Sequence, residues 1–199
     1  AERTREMRAL LVDVASRLAH PARALRNLER YLASLTTLER DVADAVLAGG
    51  VDKLEQVIRL LGSGAFFAEI LTGQPVLATS IPGSLFCRTA RTRAEFYQSI
   101  AEPVAAEQTL ATRMAALRRA WYREIVTVGS HDVLGGVPLH EINREQTDLA
   151  EASLDVATRI AKAELLGSAA PERLPVTLLA LGRLGHAGMD YGSDLDLIA

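Results

Sequence analysis

The strongest constraint on the fold is a helical spacing of apolar residues that proline and glycine repeatedly interrupt. In the first segment residues 7, 10, 11, 14 and 18 are apolar, which places them on one face of a helix that ends before Pro21. Pro21 suits the first turn of the next helix, and glycines end several later segments. Helices joined by short turns predict a helical bundle.

The same patterns predict further helices along the chain. One capping-box pair, Thr36 and Glu39, opens a helix, and a second pair, Thr92 and Glu95, opens another. The predicted helices comprise residues 21–35, 38–48, 51–62, 63–73, 94–101, 104–128 and 144–166. Residues 74–84 are predicted to break the helical pattern, and residues 129–142 to form a turn-rich linker. Together these patterns predict a helical region over residues 1–172.

Charge and composition argue against several classes of function. The 22 basic and 25 acidic residues are interleaved and give a net charge of −3, so we expect no nucleic-acid partner and no membrane-surface patch. No apolar run approaches the ~20 residues of a membrane span, and no signal peptide is recognised. The single cysteine, Cys87, excludes a disulfide framework, and the four histidines lack zinc-site spacing. We therefore expect a cytoplasmic protein.

The apolar period changes after Pro175. Residues 176–182 form a short apolar run bounded by proline and glycine, which predicts a buried strand. Residues 193–199 alternate acidic and apolar side chains and predict a second strand. A glycine-rich turn joins the two. The predicted fold class is therefore mainly α, with a helical bundle over residues 1–172 that leads into the first strands of a sheet within residues 173–199.

Asp194 and Asp196 are the main candidates for chemistry. Alternate residues of a strand point to one face, and two carboxylates ~5 Å apart repel by ~3 kcal/mol at an effective dielectric constant of ~20. A bound cation offsets this repulsion, and Mg²⁺ or Mn²⁺ prefers oxygen ligands and uses substrate phosphates as further ligands. The glycine turn and Arg183 suit a phosphate. The residues alone leave open an exposed turn with two solvated acids.

The terminal stretch LALGRLGHAGMDYGSDLDLIA resembles the signature of the glutamate–ammonia-ligase adenylyltransferase family, whose members adenylylate and deadenylylate glutamine synthetase. The stretches HPARALRNLERYLASL, VIRLLGSGAFFAEILTGQP and DLAEASLDVATRIAKAEL resemble the helical region that precedes the family's nucleotidyltransferase core. Three positions depart from the family pattern. His186 stands where the family prefers Gly, Gly188 where it prefers Glu, and Met189 where it prefers Leu.

The resemblance implies that residues 173–199 begin a polymerase-β-like α/β nucleotidyltransferase core. Asp194 and Asp196 match the family's catalytic, metal-binding aspartates, which hold Mg²⁺ or Mn²⁺. Gly182 and Arg183 match the position that lies against the triphosphate of ATP, and Ser193 matches the serine before the first aspartate. The implied reaction transfers AMP from ATP to a tyrosine of glutamine synthetase and so regulates nitrogen assimilation. The implied partners are glutamine synthetase and the PII signal protein.

Several functions remain open at this point. The family has a second head that removes AMP by phosphorolysis, although Asp-Leu-Asp and the helical lead-in favour the transferring head. Another nucleotidyltransferase, such as a uridylyltransferase, and a non-catalytic helical docking module are the further alternatives. The resemblance places a third carboxylate beyond Ala199, so we expect the chain to be a fragment that is inactive by itself.

Overall fold

A computed structural model describes residues 11–35, 49–82, 90–167 and 176–199, together with the single positions 9, 41 and 46. The chain is mainly helical over these residues, with one small two-stranded ribbon near residue 199. Along the described residues no helix combines the length and the apolar character that a membrane span requires. The chain divides into two compact units, Ala1–Arg88 with Gly129–Gly136, and Thr89–Val128 with Val137–Ala199.

The described elements follow one another in a simple order. They are α1 (Pro21–Ser34), α2 (Gly50–Ser63), α3 (Ala65–Gly73), a 3₁₀ helix (Pro75–Ser80), α4 (Arg93–Ala105), α5 (Leu110–Gly135), α6 (Leu139–Leu166), β1 (Leu179–Ala180), α7 (Gly182–Gly185) and β2 (Leu197–Ile198). Residues 11–16 are also helical. The mainly helical fold predicted from the apolar spacing is therefore confirmed.

In the first unit α1, α2 and α3 pack through apolar faces. Leu28 of α1, Val57 of α2 and Leu71 of α3 are buried. The buried side chain of Asn27 donates a hydrogen bond to the carbonyl oxygen of Leu61 at 2.8 Å. This bond satisfies a polar group that would otherwise be costly to bury.

In the second unit α4 packs along α6, with Phe96 and Ile100 of α4 and Leu149 of α6 fully buried. Ion pairs join the two helices at the surface. The guanidinium group of Arg93 contacts Glu151 at 2.7 Å and Asp155 at 2.6 Å. Because the two acids lie one turn apart on α6, a single arginine of α4 reaches both.

The start of α4 is the capping box predicted at Thr92 and Glu95. The Thr92 hydroxyl accepts from the Glu95 backbone N–H, and the Glu95 carboxylate accepts from the Thr92 backbone N–H at 2.8 Å. The Thr92 backbone N–H and hydroxyl both donate to the Glu95 carboxylate, and these two bonds lower the pKa of that carboxyl. Just before the cap, the backbone N–H of Arg91 donates to buried Glu145 of α6 at 2.8 Å, and its guanidinium group pairs with buried Glu124 of α5. The start of α4 is thereby tied to both longer helices.

Two predicted boundaries in the middle of the chain are wrong. The predicted linker over residues 129–142 is helical except at residues 136–138. Gly129 lies inside α5. A Cβ at this position would come within 2.1 Å of the Phe67 ring, so the glycine allows close packing and does not mark a turn. A helix was predicted to begin at residue 104. In the structure α4 continues to Ala105, and the next helix, α5, begins at Leu110.

Other predictions have different outcomes. The predicted break over residues 74–84 contains the 3₁₀ helix Pro75–Ser80. The predicted helix over residues 38–48 with its capping pair, and Cys87, lie almost wholly outside the described residues. The predicted domain boundary between residues 172 and 173 stays a prediction, because residues 168–175 also lie outside them.

Asp148 of α6 should make the stability of the fold depend on pH. Burial raises the pKa of its carboxyl, Glu151 and Glu145 add to the rise, and Arg144 and Arg93 oppose it. Because the folded-state pKa lies above the unfolded value, the contribution of Asp148 to stability is greatest at low pH and falls as pH rises through the folded pKa. Asp148→Asn should therefore raise the melting temperature at pH about 7, and the gain should shrink as pH falls towards about 4.

Thermal unfolding followed by circular dichroism at both pH values measures this effect. Glu69→Gln, at an exposed position of α3, is the matched loss of one carboxylate and should change the melting temperature little. Equal melting temperatures for the wild type and Asp148→Asn at pH about 7 would contradict the expectation.

Candidate functional site

The candidate site lies at one end of the β-ribbon. The strands are antiparallel, with Leu179 opposite Ile198 and Ala180 opposite Leu197. One further bond, from the Leu181 N–H to the Asp196 carbonyl oxygen at 2.9 Å, extends the pairing. Past this bond the chain leaves the ribbon on both sides, into α7 after Leu181 and into the preceding turn before Asp196.

The predicted strands over residues 176–182 and 193–199 are shorter in the structure, and the first is exposed rather than buried. Leu179 is 56% exposed and Ile198 is 53% exposed. No third strand joins the ribbon among the described residues, which is consistent with this exposure. The prediction of a buried strand is therefore wrong for the described chain.

A cleft of about 450 Å³ opens at this end of the ribbon. It brings together all five residues that were predicted from the sequence and three that were not. The predicted residues are Gly182, Arg183, Ser193, Asp194 and Asp196, and the others are Asp190, Tyr191 and Gly192.

Asp194 and Asp196 are both exposed and both line the cleft. They precede β2 rather than lying within it. Neither carboxylate forms an ion pair or side-chain hydrogen bond with another described residue. Within the described ranges no group of three or more His, Cys, Asp or Glu side chains is arranged to hold a metal. Asp194 and Asp196 are thus the cleft's two carboxylates that could bind a hard cation together with ligands from elsewhere.

Gly182 allows the backbone to approach Asp196 closely. Its φ of +53° lies in the left-handed region, which L side chains rarely adopt. A Cβ at this position would come within 2.6 Å of Oδ2 of Asp196. The conformation favours glycine here, and an added Cβ would push the Asp196 carboxylate aside.

Arg183 and Ser193 share one partner, Asp190. The guanidinium group of Arg183 pairs with the Asp190 carboxylate, and the Ser193 hydroxyl donates to the same carboxylate. Sequence reasoning missed Asp190. An aspartate three residues before a serine is typical of turns held by side-chain to backbone hydrogen bonds, and this spacing could have pointed to Asp190.

The turn that carries the cleft is anchored on α6. Leu184 and Met189 are 3% and 5% exposed and pack with Ala150 and Leu154 of α6. The backbone N–H of Met189 donates to Oγ1 of Thr147 at 3.3 Å. Met189 thus fills an apolar position of the turn, as leucine would at the same place in the family pattern.

The other two departures from the family pattern are linked through one ring. The Nδ1 atom of His186 lies 2.5 Å from the carbonyl oxygen of Gly182. A Cβ at position 188 would come within 2.9 Å of Nε2 of His186. Because His186 occupies this space, a glutamate at position 188 would require the ring to move, and glycine there leaves the ring in place.

Comparisons with known proteins agree with the motif. The family described as "Glutamate-ammonia ligase adenylyltransferase" matches residues 54–199. Similar relatives named "Bifunctional glutamine synthetase adenylyltransferase/adenylyl-removing enzyme" occur in Bifidobacterium longum subsp. infantis (29% identity over 96% of this chain and 18% of the relative), Streptomyces coelicolor (29%, 97% and 19%) and Thioalkalivibrio sulfidiphilus (25%, 99% and 21%). The chain thus spans about a fifth of the length of these curated relatives. No solved structure matches.

Replacing Gly182 by alanine should displace Asp196 while leaving the fold intact. The added methyl group would meet Oδ2 of Asp196, and the left-handed φ would cost about 1 kcal/mol. Mn²⁺ binding, measured by electron paramagnetic resonance titration, should weaken about tenfold.

The matched control is Gly136→Ala. Gly136 also has a left-handed φ, +64°, but no atom lies within 4 Å of its added Cβ. Both variants should lose similar thermal stability, and only Gly182→Ala should lose Mn²⁺ affinity. The same Mn²⁺ affinity in the two variants would contradict the role given to the close approach.

Proposed function

The chain belongs to the glutamate–ammonia ligase adenylyltransferase family, and on that premise we propose that it carries part of the site that transfers AMP from ATP to a tyrosine of glutamine synthetase. One observation carries the proposal. Two carboxylates, Asp194 and Asp196, share a cleft with a Gly-Arg turn and have no ion-pair or side-chain hydrogen-bond partner among the described residues. Paired carboxylates beside a phosphate-binding turn are the chemistry that nucleotidyl transfer requires.

Asp194 and Asp196 would hold Mg²⁺ or Mn²⁺. Their oxygen atoms suit these hard cations, and their exposure leaves room for phosphate and water as further ligands. When bound, the metal would neutralise charge on the triphosphate and stabilise the attacking and leaving oxygens. Remaining protein ligands would come from outside the described ranges.

The chain's own residues would bind and orient ATP. Arg183 would donate charge-assisted hydrogen bonds to phosphate oxygens. Because Gly182 has no side chain, its backbone would be able to approach the phosphates closely. In the proposed reaction the tyrosine oxygen bonds to the α-phosphorus of ATP while the bond from that phosphorus to pyrophosphate breaks. The tyrosine hydroxyl proton passes to solvent water in this step, and pyrophosphate is the leaving group. Positioning and charge stabilisation supply most of the rate in phosphoryl transfer, so small displacements of these residues should be costly.

The wider setting is part of the proposal. The ribbon would be the first two strands of an α/β nucleotidyltransferase core that begins within residues 173–199. The protein would act in the cytoplasm, with glutamine synthetase as its protein substrate and the PII signal protein as a regulator. The names of the relatives contain both a transferring and a removing activity. We propose the transferring head because of the Asp-Leu-Asp motif and the helical lead-in.

Asp194→Asn and Asp196→Asn in the full-length protein should each lower AMP transfer by roughly a hundredfold or more, because each loses a charged metal ligand. The measurement is incorporation of AMP from labelled ATP into purified glutamine synthetase. Asp52→Asn, an exposed residue of α2, is the control and should keep wild-type transfer. Near-wild-type transfer in both site variants would show that this pair is not part of the transferring site.

A second assay on the same variants separates the two heads. AMP-modified glutamine synthetase is supplied with phosphate, and release of ADP is measured. Loss of ADP release in Asp194→Asn with AMP transfer intact would assign the chain to the removing head. Both activities intact in a folded variant would favour a helical docking module.

A further inference from the structure

We propose that Asp190 is a positioning residue, which holds Arg183 and Ser193 in place for nucleotide binding. This role rests on the proposed function, because it concerns the same cleft. It adds a residue to which neither the resemblance nor the paired carboxylates give a role. Arg183 follows β1 and Ser193 precedes β2, so the two residues flank different strands of the ribbon.

The carboxylate of Asp190 uses its two oxygens for two different partners. Oδ2 accepts from Nη1 of Arg183, and Oδ1 accepts from the hydroxyl of Ser193. Backbone bonds support the second contact. The Ser193 N–H donates to the Asp190 carbonyl oxygen at 3.2 Å, and the Asp190 N–H lies 3.4 Å from Oγ of Ser193. One side chain thus joins residues that are ten positions apart in the chain.

Both ends of the ion pair sit next to buried residues. Asp190 follows Met189, and Arg183 precedes Leu184. Leu184 and Met189 are buried in one cluster with Ala150 of α6. The backbones of Arg183 and Asp190 are therefore both held by this cluster, which limits how far the two charged side chains can move apart.

The ion pair is placed to order Arg183 rather than to stabilise the fold. The side chains of Arg183 and Asp190 are 56% and 43% exposed, and ion pairs this exposed contribute little to folding stability. Asp190 engages only Nη1 of the guanidinium group among the described residues, so Nε and Nη2 remain for phosphate oxygens. An arginine that is already ordered loses less side-chain freedom when it binds a ligand.

Asp190 also affects the two proposed metal ligands. Arg183 is the basic residue among those that line the cleft, and Asp194 and Asp196 are the other carboxylates there. Without Asp190, the guanidinium group would be attracted to Asp194 or Asp196 and would compete with a cation for them. Pairing with Asp190 keeps the positive charge of Arg183 beside the carboxylates without occupying them.

A double-mutant cycle on ATP binding tests this role in the full-length protein. The dissociation constant of ATP with Mg²⁺ is measured by isothermal titration calorimetry, without glutamine synthetase, for the wild type, Arg183→Ala, Asp190→Ala and the double variant. Each single variant should weaken binding about five- to tenfold, because each loses the ordered arginine. The double variant should bind ATP as tightly as the single variant with the lower ATP affinity, since both changes remove the same contact.

Asp190→Asn and a stability measurement guard against a merely structural effect. The amide keeps an acceptor for the Ser193 hydroxyl but loses the charge that pairs with Arg183, so ATP binding should weaken only about two- to threefold. All variants should melt near the wild-type temperature, because the pair is exposed.

Wild-type affinity or tighter binding in Asp190→Ala would overturn the positioning role, and tighter binding would make Asp190 a competitor of phosphate. Effects of the two single variants that multiply in the double variant would also overturn it. A wild-type protein that binds no ATP and transfers no AMP would instead overturn the proposed function, and with it this role.

Discussion

The packing of Leu184 and Met189 against Ala150 and Leu154 of α6 holds the candidate site in place. Most other residues from 176 to 199 are exposed, so these two side chains and the bond from Met189 to Thr147 are the turn's principal buried contacts. Burial of two such side chains stabilises by about 3–6 kcal/mol in total. The second unit builds the support for this anchor, because α6 is itself held to α4 by a buried apolar face and by Arg93.

On that anchor the turn arranges charge in a way that suits a metal and a nucleotide. Asp190 pairs with Arg183 and Ser193, whereas Asp194 and Asp196 pair with no side chain that the structure describes. Exposure makes the repulsion between Asp194 and Asp196 tolerable in water, where charges are screened. The same exposure leaves both carboxylates accessible to a cation that arrives with phosphate. Gly182 completes the arrangement, because its left-handed backbone favours glycine and a Cβ there would displace the Asp196 carboxylate.

Local signals in the sequence predicted the helices well where a cap or a stop acts locally. The capping box at Thr92 and Glu95 is an example, since both bonds form within four residues. Gly129 misled the prediction because its reason is the Phe67 ring, which is distant in the chain. The extent of the strands was also overestimated. Strand length depends on neighbouring strands, and an apolar run cannot reveal whether a partner is present.

For the site, the motif and the resemblance identified five residues that the structure brings to one cleft. The pairing of Asp190 with Arg183 could not be predicted, because it depends on the path of the turn between two residues that are seven positions apart. The coupling of His186 with Gly188 was equally hidden, since it is a contact between a ring and an absent Cβ. Residue types can be read from a sequence, but contacts across a turn follow from its conformation.

The most direct test of the metal–nucleotide site is a crystal structure of the full-length protein with Mn²⁺ and a non-hydrolysable ATP analogue. Anomalous scattering from manganese locates the metal independently of the fitted protein atoms. The account predicts a manganese peak coordinated by Asp194 and Asp196, with phosphate oxygens of the analogue in contact with Arg183. Manganese and nucleotide bound elsewhere, with both carboxylates facing only water, would contradict it.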